Sequence, residues 1–171
     1  MRALVPVVLT AALSAACASG RAVPRPGPAG AVGPPAGEVT PEASSPGVAL
    51  GHRLVADALE LRGTPYRNGG TDPRTGFDCS GLVSYVFSRR GLAVPRQTSA
   101  QFKAGEAVPR DRLQPGDLVF FSTVAPGASH VGIAIDEDEF VHAPSSRGVV
   151  RVERLTLPYW RTRFIGARRI R

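Results

Sequence analysis

One internal cysteine and two histidines far along the chain carry the chemistry this sequence can do. Cys79 stands in GFDCSGLVSYVF, residues 76–87, where an acid, a thiol, a hydroxyl and a glycine precede an apolar run at helical spacing. With Asp78 as cap, Cys79 lies in the first turn of a helix, where unpaired N–H groups and the positive dipole end favour a thiolate. Lowering a thiol pKa from about 8.5 by two units takes ~2.7 kcal/mol. The dipole supplies about 0.3–1 kcal/mol, so a protonated histidine is needed for the remainder. A thiolate so favoured would alkylate faster at pH 6.5 than an exposed free thiol. His130, opening HVGIAI, and His142, within FVHA, are the candidate partners, whereas His52 reads as a surface residue.

Plainer readings compete with this one. A lone cysteine is commonly a small buried hydrophobe, and a lone histidine a hydrogen-bonded structural residue. A zinc site built from Cys79 and the two histidines is a third reading, but the sequence has no ligand pair at C-x-x-C or H-x-x-x-H spacing, so metal and cofactor are disfavoured. In an oxidising compartment a thiol without a clear partner calls for another use. The preferred assignment is Cys79 as nucleophile, His130 as base and then acid, and His142 as the residue that fixes the tautomer of His130. Pairing across the acidic run at 136–139 sets His142 near Ile133 or Ala134. His130 must then reach along the sheet, or a bulge must bend it.

The elements that position these residues follow from periodicity. Leu54, Val55, Ala58, Leu59 and Leu61 recur at helical spacing, as do Leu82, Val83, Val86 and Phe87, each set ending near a glycine. A shorter helix fits Thr98 to Ala104. Beyond Pro115-Gly116 the pattern turns to short apolar runs, LVFF, HVGIAI, FVHA, VVRVE and RFIGARRI, separated by turn-forming or charged clusters. Helices first and antiparallel strands second make an α+β fold in which the Cys79 helix packs on one sheet face.

The rest of the chain bears on location. Residues 1–17, MRALVPVVLTAALSAAC, read as a secretory signal, with an uncharged run too short to span a bilayer. Two processing routes fit: lipidation of Cys17 as the new N-terminus, which is favoured, or ordinary cleavage that discards it. Residues 18–47 read as a disordered tether, since 12 of the 27 residues from Arg21 to Gly47 are Pro or Gly. Residues 48–171 form the single domain. The net charge is +7 and Lys103 is the only lysine, yet aromatic and basic residues do not interleave as a nucleic-acid groove requires. From Arg147 onward eight arginines face one acid, Glu153. That tail is either solvated strand surface or a positive face that steers acidic polymers.

The blocks GTPYRNGG, FDCSGLV, VPRQTSAQ, QPGDLVFF, HVGIAI, FVHA and PYWRTRFIGARRI occur in an order that resembles the NlpC family of bacterial cell-wall cysteine peptidases. The resemblance spans nearly everything after the tether and extends to that family's lipoprotein murein endopeptidases, with a similar signal, tether and lone domain. It implies a papain-like α+β core with Cys79, His130 and His142 as catalytic residues. It further implies Tyr66 beside the nucleophile near the oxyanion site, and Asp78 and Ser80 lining the groove. Stem peptides would be the substrate, and the protein a monomer facing the periplasm from a membrane anchor at Cys17. The exact bond stays open. An acyltransferase or amidase on the same core, or a non-catalytic wall-binding lipoprotein, are the alternatives.

Overall fold

The computed structural model describes residues 46–144 and 148–171. The expected signal, Cys17 and all but the end of the tether lie outside the described residues, as does Arg147. Helix α1 (Pro46–Glu60) buries Leu54, Val55 and Ala58 at the expected spacing. Helix α2 (Cys79–Ser88) buries Leu82, Val83, Val86 and Phe87 on the same principle. Buried Asp57 on α1 receives a two-point ion pair from Arg90, just past α2, at 2.6 and 2.7 Å. That forked geometry satisfies a carboxylate that would otherwise be costly to bury, and it fixes one helix against the other. The short strands β1 (Thr71–Asp72) and β2 (Gly76–Phe77) form a hairpin that leads directly into α2. Helix α3 (Thr98–Gln101) is shorter than the sequence suggested.

The remaining strands are β3 (Glu106–Val108), β4 (Leu118–Phe121), β5 (His130–Ala134), β6 (Glu139–His142), β7 (Arg151–Arg154) and β8 (Phe164–Arg169). They form an antiparallel sheet of order β3-β8-β4-β5-β6-β7. The expected meander holds from β4 to β7, after which β8 returns to the far side of β4 with a register shift at Phe120/Phe121. Every residue of β4 and β5 is buried. One sheet face, with Leu118, Phe120, Val131, Ile133 and Val141, packs on the helices. The other, with Val119, Phe121, Ala134 and Phe140, closes over Leu155, Ala167 and Trp160 of the single-turn helix α4 (Pro158–Arg161). Burial on both faces explains why LVFF and HVGIA read as continuous apolar runs rather than alternating ones.

Candidate active site

Asp78 caps α2, as its position before the apolar run predicts. Its Oδ1 accepts from the Gly81 N–H at 2.6 Å and its Oδ2 from the Gly69 N–H at 2.9 Å. Burial works against its ionisation, but the Arg96 guanidinium, donating at 2.6 and 3.0 Å, and the Gly81 N–H together hold its carboxyl below the usual range. Ser80 is buried, donating to Asp78 Oδ1 and accepting from Arg96 at 2.9 Å. Gly81 is required by contact rather than by torsion: a Cβ there would run into the Gly70 carbonyl, the acceptor of the Asp78 N–H. This network seats the first turn of α2 on the hairpin before it, and so fixes Cys79.

The Cys79 thiol is half-buried and shares a hydrogen bond with Thr98 Oγ1 at 3.6 Å. The backbone N–H groups of Val131 and Ser80 also reach the sulfur. Val131 follows His130 directly, so the thiol rests against β5 at the start of the histidine strand. The expected resting thiolate is corrected. Burial pushes the Cys79 thiol above its ordinary value, and the N–H groups and Thr98 oppose this without reversing it. The helix dipole is visible from the sequence, whereas the packing of Cys79 against the core, which desolvates it, is not. Tyr66 is paired through its backbone to Phe77 and Gly148. Burial raises its hydroxyl pKa first, then the nearby charges of Cys79 and Asp78.

His130 and His142 meet on the sheet face that carries Trp160. His130 Nε2 lies 2.8 Å from His142 Nδ1, with the ring planes at 87°. The expected pairing of His142 with Ile133 or Ala134 is corrected: Val141 and Phe140 hold those positions. The reason is the turn, where the Asp136 carboxylate accepts from the N–H groups of Asp138 and Glu139 and the Ile135 N–H donates to the Glu139 carbonyl. This closes the hairpin one residue tighter, so His142 falls level with Gly132 and diagonal to His130. No bulge interrupts the β5–β6 pairs Ile133–Val141 and Ala134–Phe140. Gly132 lies between the two rings' strand positions, and a Cβ there would stand 2.5 Å from the Phe140 ring.

Both rings are buried, and Trp160 packs on them, stacked on His130 at 5.5 Å and edge-on to His142 at 5.0 Å. Burial lowers His130 to about 4. Burial, then His130 and Arg151, push His142 further down. Near neutral pH the site therefore holds a thiol and two neutral imidazoles. Such a set has the residue types of a nucleophile and a base, and among the described residues no hydrogen bond joins Cys79 to either ring.

A cysteine at a capped helix start, resting on a strand that pairs its histidine with a second one, has the parts of a cysteine hydrolase. Residues 63–169 match the model of the NlpC/P60 family. The chain belongs to the NlpC/P60 family. It is 38% identical over 120 residues to the Gamma-DL-glutamyl hydrolase of Bacillus subtilis, covering 68% of this chain and 29% of that protein. It is 40% identical over 119 residues to the Murein DD-endopeptidase MepS/Murein LD-carboxypeptidase of Escherichia coli K12, covering 69% and 62%. The chain thus spans less than two thirds of the length of either relative. The crystal structure of an NlpC/P60 family protein from Bacillus cereus superposes with a TM-score of 0.65 at 32% identity, covering 70% of this chain and 39% of that one. The α+β NlpC fold expected from the sequence is the fold observed.

Several residues of this NlpC/P60 domain escaped residue-level reading. Arg96 lies 18 positions from the carboxylate it holds. Gln101 is buried and donates to the carbonyls of Ser80 and Pro95 at 3.1 and 2.8 Å, binding α3 to the first turn of α2. Both stand in VPRQTSAQ, which carried no signal of its own beyond the family pattern. Trp160 had one: it is the chain's single tryptophan, two residues after a helix-starting proline.

Proposed function

We propose that this chain is a cysteine-type peptidoglycan hydrolase that cleaves an amide bond in stem peptides or their cross-links through Cys79, His130 and His142. The observation that carries the reading is the 2.8 Å bond between His130 Nε2 and His142 Nδ1, which starts from β5, the strand against which the Cys79 helix packs. The name of the murein endopeptidase relative supports the substrate class, and the Gamma-DL-glutamyl hydrolase, named for another glutamyl amide, supports the same kind of bond cleavage.

Cys79 Sγ attacks the amide carbonyl carbon as its proton passes to His130 Nδ1. For Nδ1 to accept, Nε2 must carry a hydrogen and donate it to His142 Nδ1. His142 Nε2 then keeps its own hydrogen, which is buried without a partner. The oxyanion is held by N–H groups at the start of α2 and by the Tyr66 hydroxyl. When the C–N bond breaks, the leaving nitrogen takes the proton from His130, and the acyl group stays on sulfur as a thioester. Water gives a proton to His130, its oxygen adds to the thioester carbon, and the C–S bond breaks to restore the thiol. Asp78 and Ser80, with Arg96, form the wall on the acyl side.

In the same reading residues 1–17 are a lipoprotein signal ending at Cys17, residues 18–47 are the tether, and residues 48–171 are a monomeric enzyme held at the periplasmic face of a membrane. Rapid-quench intact mass spectrometry with a synthetic stem peptide tests the chemistry. An adduct of the acyl mass, absent from Cys79→Ala, is expected, and turnover with no adduct on Cys79 would contradict it.

A further inference from the structure

A cleft of about 310 Å³ opens beside His130 and includes neither Cys79, Tyr66 nor Asp78. His130, Trp160, Tyr159, Arg151, Glu153 and Thr123 are the lining residues that matter here. Its floor is set by the sheet. On β7, Val152 turns to the helix-side core, so Arg151 and Glu153 face the other way, level with His142 and Phe140 respectively. They thus share the face of the histidine pair. Its outer wall is Tyr159, a ring half-exposed to solvent yet held by the Arg163 guanidinium at 4.0 Å and by Trp160 edge-on at 4.8 Å.

The direction of the reaction says which half of a substrate such a cleft would meet. The acyl half stays on the sulfur, on the α2 side. The nitrogen that departs takes its proton from His130, so the group it carries extends past His130, away from Cys79. Arg151 is the cation waiting there. Its Nε donates to Glu153 Oε1 at 2.8 Å, and its side chain is 50% exposed. Among the described residues its two terminal nitrogens make no hydrogen bond. Two parallel N–H donors on a planar guanidinium fit a carboxylate.

We propose that this cleft binds the leaving-amine half of the substrate and that Arg151 recognises a carboxylate on the carbon bonded to the scissile nitrogen. The proposal rests on the hydrolase reading above. It gives the enzyme a preference for amines that are themselves amino acids, with Tyr159 and Trp160 packing on the carbon chain. Arg151 is then a specificity residue, and Glu153 a competitor, since its carboxylate already holds one edge of the guanidinium.

The test uses two synthetic stem-peptide substrates that differ at one group: the carbon bonded to the scissile nitrogen bears a free carboxylate in one and a carboxamide in the other. The wild-type protein should favour the acid in kcat/KM by about tenfold or more, the size expected of a charge-assisted pair of hydrogen bonds. Arg151→Gln should bring that ratio towards one, chiefly through KM for the acid, and Arg151→Lys should keep part of it. Glu153→Gln should raise the ratio, an effect that a purely structural ion pair would not produce. Equal wild-type cleavage of acid and amide, or an unchanged ratio in Arg151→Gln, overturns the proposal and leaves the hydrolase reading standing. Cleavage of neither substrate by the wild type overturns both. The wild-type ratio needs no variant to fold.

Discussion

His142 buries a ring nitrogen with no partner, at a cost of about 1–3 kcal/mol, and orients His130 in return. It handles no proton of the substrate, so its loss should hurt less than that of the residues that do. Cys79→Ala and His130→Ala should each lower kcat by about 10⁶-fold, and His142→Ala by about 10⁴-fold, read by steady-state kinetics on folded protein. Protonation gives a second expectation. His130 titrates at about 4, so the acid limb of kcat/KM should fall well below the ordinary histidine value of about 6.5, while Cys79 should alkylate slowly at pH 6.5 and faster as pH rises into the alkaline range. The sign for stability follows from the same shift. Between about 6.5 and 4 the unfolded chain binds more protons than the folded one, so stability falls as pH is lowered through that window. For His130 alone the loss by pH 4.5 is on the order of 2–3 kcal/mol. Urea unfolding at pH 7 and 4.5 measures it, and His130→Gln should shrink the difference. That His130 meets His142 and that Cys79 opens a helix capped by Asp78 were legible in the sequence. The protonation of Cys79 and the histidines was not, because it is set by burial among groups distant in sequence, such as Trp160, which stacks on His130 from 30 residues away.

The elements that hold these residues differ in how plainly the sequence announced them. The two long helices carry a helical periodicity and the five strands short apolar runs, both products of burial, and all were readable. The hairpin β1–β2, strand β3 and helix α4 are two to four residues long, too short for any period. The pairing of the histidines turned on the Asp136 turn, where one side chain decides between neighbouring registers. Strand geometry makes Gly132 a sensitive position. Gly132→Ala drives a Cβ to 2.5 Å from the Phe140 ring, so a loss of about 1–3 kcal/mol in thermal or urea unfolding is expected, with reduced activity as the histidine pair shifts. At the start of α2, Asp78→Ala removes the cap and leaves Arg96 without its carboxylate. It should cost about 1–2 kcal/mol and lower activity, and Asp78→Asn should recover much of the capping part.

For the whole molecule, the arginine-rich C-terminal run is less exposed a charge than its sequence implied. Arg151 pairs with Glu153, Arg154 with Asp138, Arg169 with Asp117 and Arg171 with Glu106, three of these acids coming from earlier in the chain. Arg163 and Arg168 lie over the rings of Tyr159 and Phe102. Of the two readings of that tail, solvated strand surface and a steering face, these pairs favour the first, since the sheet brings together acids that sequence distance conceals. The net charge of +7 still biases encounters, but without a concentrated face the salt effect should be small. Activity on intact sacculi, relative to a small neutral peptide, should change by less than about threefold between low salt and 0.5 M. A tenfold change would restore the steering reading. The central claim, a cysteine hydrolase of peptidoglycan stem peptides, is tested most directly by incubating the purified protein with sacculi and weighing the released muropeptides. The account predicts that the wild type releases fragments whose masses fit hydrolysis of one kind of stem-peptide amide, and that Cys79→Ala releases none. Release by both proteins alike, or by neither while the wild type is folded, would contradict it.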